Sequence, residues 1–94
     1  MSKSIISSKR ECLVCKTTYD LHRHHIYFGA GYRKISERYG CWCYLCAGHH
    51  NMSNQGVHFN IALDLRLKEE CQRKWEAEYG TRAEFISVFG KNYL

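Results

Sequence analysis

Ninety-four residues make one domain and hardly two, and a core of that size is marginal without a metal or disulfide staple. The formal charge is +5, and it is uneven: residues 1 to 58 carry eight Lys and Arg against Glu11, Asp20 and Glu37, whereas residues 59 to 94 carry six of each sign. No run is apolar enough to cross a bilayer, which excludes a helical membrane protein and leaves a polyanion, most plausibly nucleic acid, as the partner of the basic half.

Residues 1 to 10 are polar and basic and read as a frayed arm. They lack the apolar stretch of a secretion signal, so a cytoplasmic, reducing location is expected, in which cysteine pairs serve as metal ligands rather than disulfides. Cys12-x-x-Cys15 predicts a knuckle turn. Tyr19 to Tyr27 reads as extended and ends at Gly29-Ala30-Gly31. Tyr32 to Tyr39 is expected to form a short helix closed by Gly40. A brief strand through Trp42 and Tyr44 then leads to Cys46.

The C-terminal third is helical in pattern. Asn60 is a good N-cap, and Leu63, Leu67, Cys71 and Trp75 recur every fourth residue up to Gly80, which predicts one long amphipathic helix with Cys71 as a buried thiol. Thr81 and Glu84 form a capping-box pair. They open a second helix that carries Phe85, Ile86 and Phe89 and stops at Gly90.

Zinc takes four soft or borderline ligands, and short C-x-x-C or C-x-x-H turns supply two each. Cys12 and Cys15 are one such pair. The second is ambiguous, because Cys43-x-x-Cys46 and Cys46-x-x-His49 share Cys46. The doublet His24-His25 lies at the end of the expected strand, where successive side chains point to opposite faces. One of the two can ligate a metal while the other addresses a water. His22 shares the face of His24 but is expected to be solvated or to contact phosphate. Arg23, Arg33, Lys34 and Arg38 offer a phosphate-tracking surface, and Tyr27, Tyr32 and Trp42 offer rings for base stacking or core packing.

Cys12-x-x-Cys15, His24-His25-Ile26 and Leu45-Cys46-x-x-His49-His50 together resemble the HNH, or His-Me finger, nucleases, whose ββα-metal site is often wrapped in a zinc-binding treble clef. Ser36-Glu37-x-Tyr39-Gly40, Gly56-Val57-His58-Phe59-Asn60 and Phe89-Gly90-Lys91-Asn92-Tyr93-Leu94 extend the likeness to small HNH-type proteins of Firmicutes phages and prophages. The resemblance implies an α+β chain over residues 1 to 94: an arm (1 to 10), a zinc-braced treble-clef or ββα-metal unit (12 to 59) and a helical extension (60 to 94). It implies a structural Zn2+ on Cys12, Cys15, Cys46 and His49. His25 becomes the general base, and His24 and His50 become the ligands of a catalytic divalent ion. Arg23, Arg33, Lys34, Arg38 and His58 become contacts to DNA. Asn54 and His58 are further candidates for a third ligand or a phosphate contact.

Two positions depart from the family. Cys41 stands where it has its middle asparagine, and His24 where it usually has aspartate. A site of neutral imidazoles favours Zn2+, Ni2+ or Mn2+ over Mg2+. The implied activity is endonucleolytic hydrolysis of DNA, with a homodimer or phage protein partner supplying any sequence selectivity. The alternatives are a non-catalytic zinc-stabilised nucleic-acid-binding module and a zinc-stapled protein–protein adaptor.

Overall fold

The structure is a computed structural model and describes residues 3–29, 31–50 and 60–94. Asn54 and His58 lie outside these. The order is β1 (Leu21–His25), α1 (Tyr32–Tyr39), β2 (Trp42–Cys46), α2 (Ala47–His50), α3 (Ile61–Glu78) and α4 (Arg82–Phe89). The class is α+β. Among the described residues no helix is long and apolar enough to cross a membrane.

The two strands pair antiparallel, with His22 opposite Leu45, Arg23 opposite Tyr44, His24 opposite Cys43 and His25 opposite Trp42. Side chains alternate across a strand. One face of the sheet therefore presents His22, His24, Cys43 and Leu45, and the other Arg23, His25, Trp42 and Tyr44. The first face is the core side, with His24, Cys43 and Leu45 all buried.

Local signals set the helix ends. The Asn60 side chain accepts from the Leu63 N–H and starts α3. Thr81 and Glu84 exchange side-chain bonds with each other's main chain to start α4. Gly40 stops α1 in the left-handed region at φ 73°, and a Cβ there would lie 2.1 Å from the Lys3 carbonyl oxygen. That contact leads to a correction: residues 3 to 6 of the arm are docked, not frayed. Ile5 N–H donates to the Gly40 carbonyl (2.9 Å), Ser4 Oγ donates to the Trp42 carbonyl, and Lys74 Nζ donates to the Ile6 carbonyl (3.1 Å). Ile5 and Ile6 pack against the core, and their apolar burial outweighs the polar character of their neighbours.

Leu67, Cys71 and Trp75 of α3 are buried as expected. In α4 Phe85 and Phe89 are buried, but Ile86 is 39% exposed, because a helix this short buries only a narrow i, i+4 stripe. Tyr27 belongs to this aromatic core and does not offer a free ring: its centroid lies 4.5 Å from that of Phe89 and 5.4 Å from that of Phe85. Buried Ser36 clamps the segment that follows β1, accepting from the Tyr27 N–H (3.2 Å) and donating to the Tyr27 carbonyl (2.7 Å). Buried Gln72 accepts from the Tyr93 N–H (2.8 Å) and donates to Asn92 Oδ1 (2.8 Å), which ties the C-terminal segment to α3.

Candidate metal centre

The Cys12-to-Cys15 turn is closed by two main-chain bonds, Lys16 N–H to the Cys12 carbonyl and Cys12 N–H to the Thr17 carbonyl. Lys16 takes φ 66° to make it. Leu13 N–H donates to the Tyr44 carbonyl (2.9 Å), and Ala47 N–H donates to the Asp20 carbonyl (3.0 Å). The knuckle is thereby held against the end of β2, where the single turn of α2 swings His49 back over it.

Cys12, Cys15, Cys46 and His49 present four ligand atoms that all lie within 4.8 Å of one another. Cys15 Sγ and Cys46 Sγ are 3.7 Å apart, and His49 Nδ1 lies 3.8 Å from Cys12 Sγ and 3.2 Å from Cys46 Sγ. Zinc at ~2.3 Å from sulfur and ~2.0–2.1 Å from nitrogen requires tetrahedral edges of about 3.8 Å (S–S) and about 3.6 Å (S–N). The set fits a structural metal such as zinc. Cys43 does not join it. Its side chain is on the buried core face, and burial pushes its thiol up to about 12, so the ambiguity left by the spacing resolves to His49.

The electrostatics agree. Burial raises the Cys12 thiol, but main-chain hydrogen bonds from Cys15, Cys46 and Val14 outweigh it and bring it down to about 6. The Thr17 main chain lowers Cys15, but desolvation and the neighbouring Cys12 and Cys46 sulfurs carry it upward. Three sulfurs this close cannot all ionise without a cation between them.

The remaining histidines divide by face. On the core side, His22 Nδ1 is 2.9 Å from His50 Nδ1, and the rings of His24 and His50 are 5.4 Å apart. His22 is therefore half-buried and not on its own. Strand alternation put it on the face of His24, but only the turn of α2 reveals His50 as its neighbour. At 2.9 Å the two nitrogens are hydrogen-bonded, one ring donating to the other. That is shorter than the about 3.3 Å edge of a zinc site with nitrogen ligands, so sharing an ion would require the rings to part slightly. Among the described residues the Cys3His set is the one group of three or more ligand atoms gathered within 4.8 Å.

On the other face, His25 Nε2 lies 3.5 Å from Glu37 Oε2, and Glu37 also pairs with Arg23. Glu37 was not singled out as a site residue from the sequence, because only the return of α1 across β1 brings its carboxylate to the doublet. Burial lowers the His25 imidazole from its ordinary value, against the Glu37 carboxylate, which raises it, and with Arg33 and Arg23, which lower it. Arg23, His24, His25, Arg33 and His50 open into one cleft of about 440 Å³. Lys34 and Arg38 are exposed on α1 outside this cleft. Buried Cys41 turns its thiol to Cys71, while its carbonyl accepts from the Ile26 N–H (2.9 Å) directly after the doublet. Comparison with family models, with curated proteins and with solved structures found no match to this chain, so what the site does rests on its own residues.

Proposed function

We propose that the chain is a metal-dependent DNA endonuclease of the HNH, or His-Me finger, type, built on a zinc-braced ββα-metal unit. In that unit β1, β2 and α2 supply the motif, and the Cys12-to-Cys15 knuckle supplies the treble-clef brace. One observation carries the reading. The doublet is split by the sheet, so that His24 faces His50 and His22 while His25 faces Glu37. Both halves meet in one cleft with two arginines.

Phosphodiester hydrolysis needs a base for the water and positive charge around the phosphate. Glu37 beside Nε2 of His25 favours the proton on that nitrogen and leaves Nδ1 as the basic site. The lowered affinity of this imidazole for protons keeps it neutral at cytoplasmic pH. Arg23 and Arg33 neutralise the non-bridging oxygens. His24 and His50, with His22 as an added ligand once its ring parts from that of His50, would hold a divalent ion, which would supply positive charge at the scissile phosphate and the departing 3′-oxygen. Glu37, together with the Cys41 carbonyl on Ile26, braces the base where the family uses an asparagine side chain.

A second reading, a non-catalytic zinc-stabilised nucleic-acid-binding module, is favoured by the Cys41 thiol, which sits in the core and gives no side-chain brace. Cleavage of supercoiled plasmid with Mg2+, Mn2+, Ni2+ or Zn2+ separates the two. The nuclease requires added metal and loses about a hundred- to ten-thousandfold in rate with a folded His25→Ala protein. Wild-type protein that carries its zinc and cuts with none of these metals belongs to the second reading.

A further inference from the structure

The sheet face that bears His25 also bears a second concavity. Arg23 and Tyr44 are cross-strand partners there, and the docked arm lays Lys3, Lys9 and Arg10 beside them and Trp42, enclosing about 490 Å³. Three serines complete the lining, which contains no carboxylate and no amide side chain. The guanidinium of Arg23 lies 3.8 Å from the Trp42 ring centroid, and that of Arg10 lies 5.4 Å from the Tyr44 ring centroid. Both guanidiniums also bear on the Tyr44 hydroxyl: hydrogen bonding from Arg23 comes first among the causes that hold this phenol below its ordinary value, and Arg10 adds to it.

Arg23 already has the Glu37 carboxylate as its ion-pair partner, which leaves Lys3, Lys9 and Arg10 to make the surface around the two rings positive, and such a surface is suited to an anion that also has a flat face. Unpaired nucleotides offer both. A basic groove with an aromatic platform is how single strands are held without sequence reading, and each stacked base contributes about 1–3 kcal/mol. A duplex keeps its base faces stacked on each other, out of reach of a protein ring, whereas an unpaired strand can lay a base on one.

We propose that this groove binds a single nucleic-acid strand. Lys3, Lys9 and Arg10 carry its phosphates, Tyr44 stacks a base, and the strand leads along the sheet toward His25. Only this last step rests on the nuclease reading. The binding stands without it.

The test uses the full chain loaded with zinc and no further metal, titrated into fluorescein-labelled (dT)20 and into a blunt duplex of equal length, at several salt concentrations. The strand should bind tighter than the duplex. The Lys9→Ala/Arg10→Ala protein, altered at two exposed side chains, should flatten the salt dependence by about 1.4 in log–log slope, at ~0.7 per phosphate contact. Tyr44→Ala should weaken binding about tenfold and Tyr44→Phe far less, since the ring does the stacking. Zinc content and circular dichroism check the fold of each protein. An unchanged slope in the double variant, or preference for the duplex, overturns the groove. If plasmid cleavage fails while the groove variants still weaken binding, the nuclease reading falls and the groove stands.

Discussion

Stripping the metal from the Cys12, Cys15, Cys46 and His49 set should destabilise the domain by an amount the geometry allows to be worked out. The ion joins positions 31 residues apart (Cys15 to Cys46) and 37 residues apart (Cys12 to His49). Treated as one cross-link closing a loop of about 35 residues, it removes chain entropy from the unfolded state worth about 4 kcal/mol. Direct ligand bonding adds to this, since structural zinc binding is typically worth ~10–16 kcal/mol. A 94-residue chain has about 5–14 kcal/mol of total stability, so even the lower figure is a large share. For a domain of this size ~4 kcal/mol corresponds to a fall in Tm of about 15 °C or more. Calorimetry of protein with and without chelator measures it, with the metal counted by atomic absorption. Cys43→Ala should keep one zinc per chain and Cys46→Ala should lose it. A metal-free protein melting within about 5 °C of the loaded one would refute the cross-link, and zinc lost equally from both variants would refute the ligand assignment.

Thiol accounting offers a second check. Chelation should expose Cys12, Cys15 and Cys46 to a disulfide reagent, while buried Cys41, Cys43 and Cys71 react only after denaturation. Six thiols reacting together on chelation would show that the metal holds the whole core. The rate of cleavage should depend on pH through His25. Because burial lowers its pKa from the ordinary 6.5, log kcat/KM should still be flat at pH 6.5 and fall with unit slope only beneath the lowered pKa. Stability follows the same sign: the contribution of the neutral imidazole is present above the unfolded value and is lost as pH falls through the folded one. Glu37→Gln removes a raising influence, so the acid limb should move to lower pH, and a limb moving upward would contradict the pairing. Ser36→Ala strands the Tyr27 N–H and carbonyl in the core, at about 1–3 kcal/mol for each unsatisfied group. Urea denaturation should show a loss of about 2 kcal/mol or more, and a change under about 0.5 kcal/mol would mean that the clamp is idle.

Much of the framework was legible because its signals are local. Asn60, Thr81 with Glu84, Gly40 and Gly90 act within a turn of themselves, the first two sites starting a helix and the two glycines ending one at the expected place. The likeness to HNH proteins favoured His49 over Cys43, and that choice agrees with the sulfur and nitrogen distances. What sequence could not supply were partnerships across space. Glu37 meets His25 only because α1 returns over β1, and His22 meets His50 only because α2 turns back over the sheet. The arm misled for a different reason. Ile5 and Ile6 are two apolar residues in a polar stretch, too few for a periodicity, yet Gly40 leaves room for the Lys3 carbonyl to dock beside them.

The position of Tyr27 has a consequence for how the molecule comes into being. The residues on either side of the candidate site are made early, but Tyr27 packs against Phe85 and Phe89, roughly sixty residues downstream. At ~5–20 residues per second, translation leaves an interval of about 3–12 s between the doublet and its backing. During that interval the hairpin and knuckle can already capture metal, whereas the turn behind His25 has nothing to press against. Closure of the Cys12, Cys15, Cys46 and His49 set needs nothing made after residue 49, whereas the backing of the segment after His24-His25 waits for α4, so the two are ordered by the direction of synthesis.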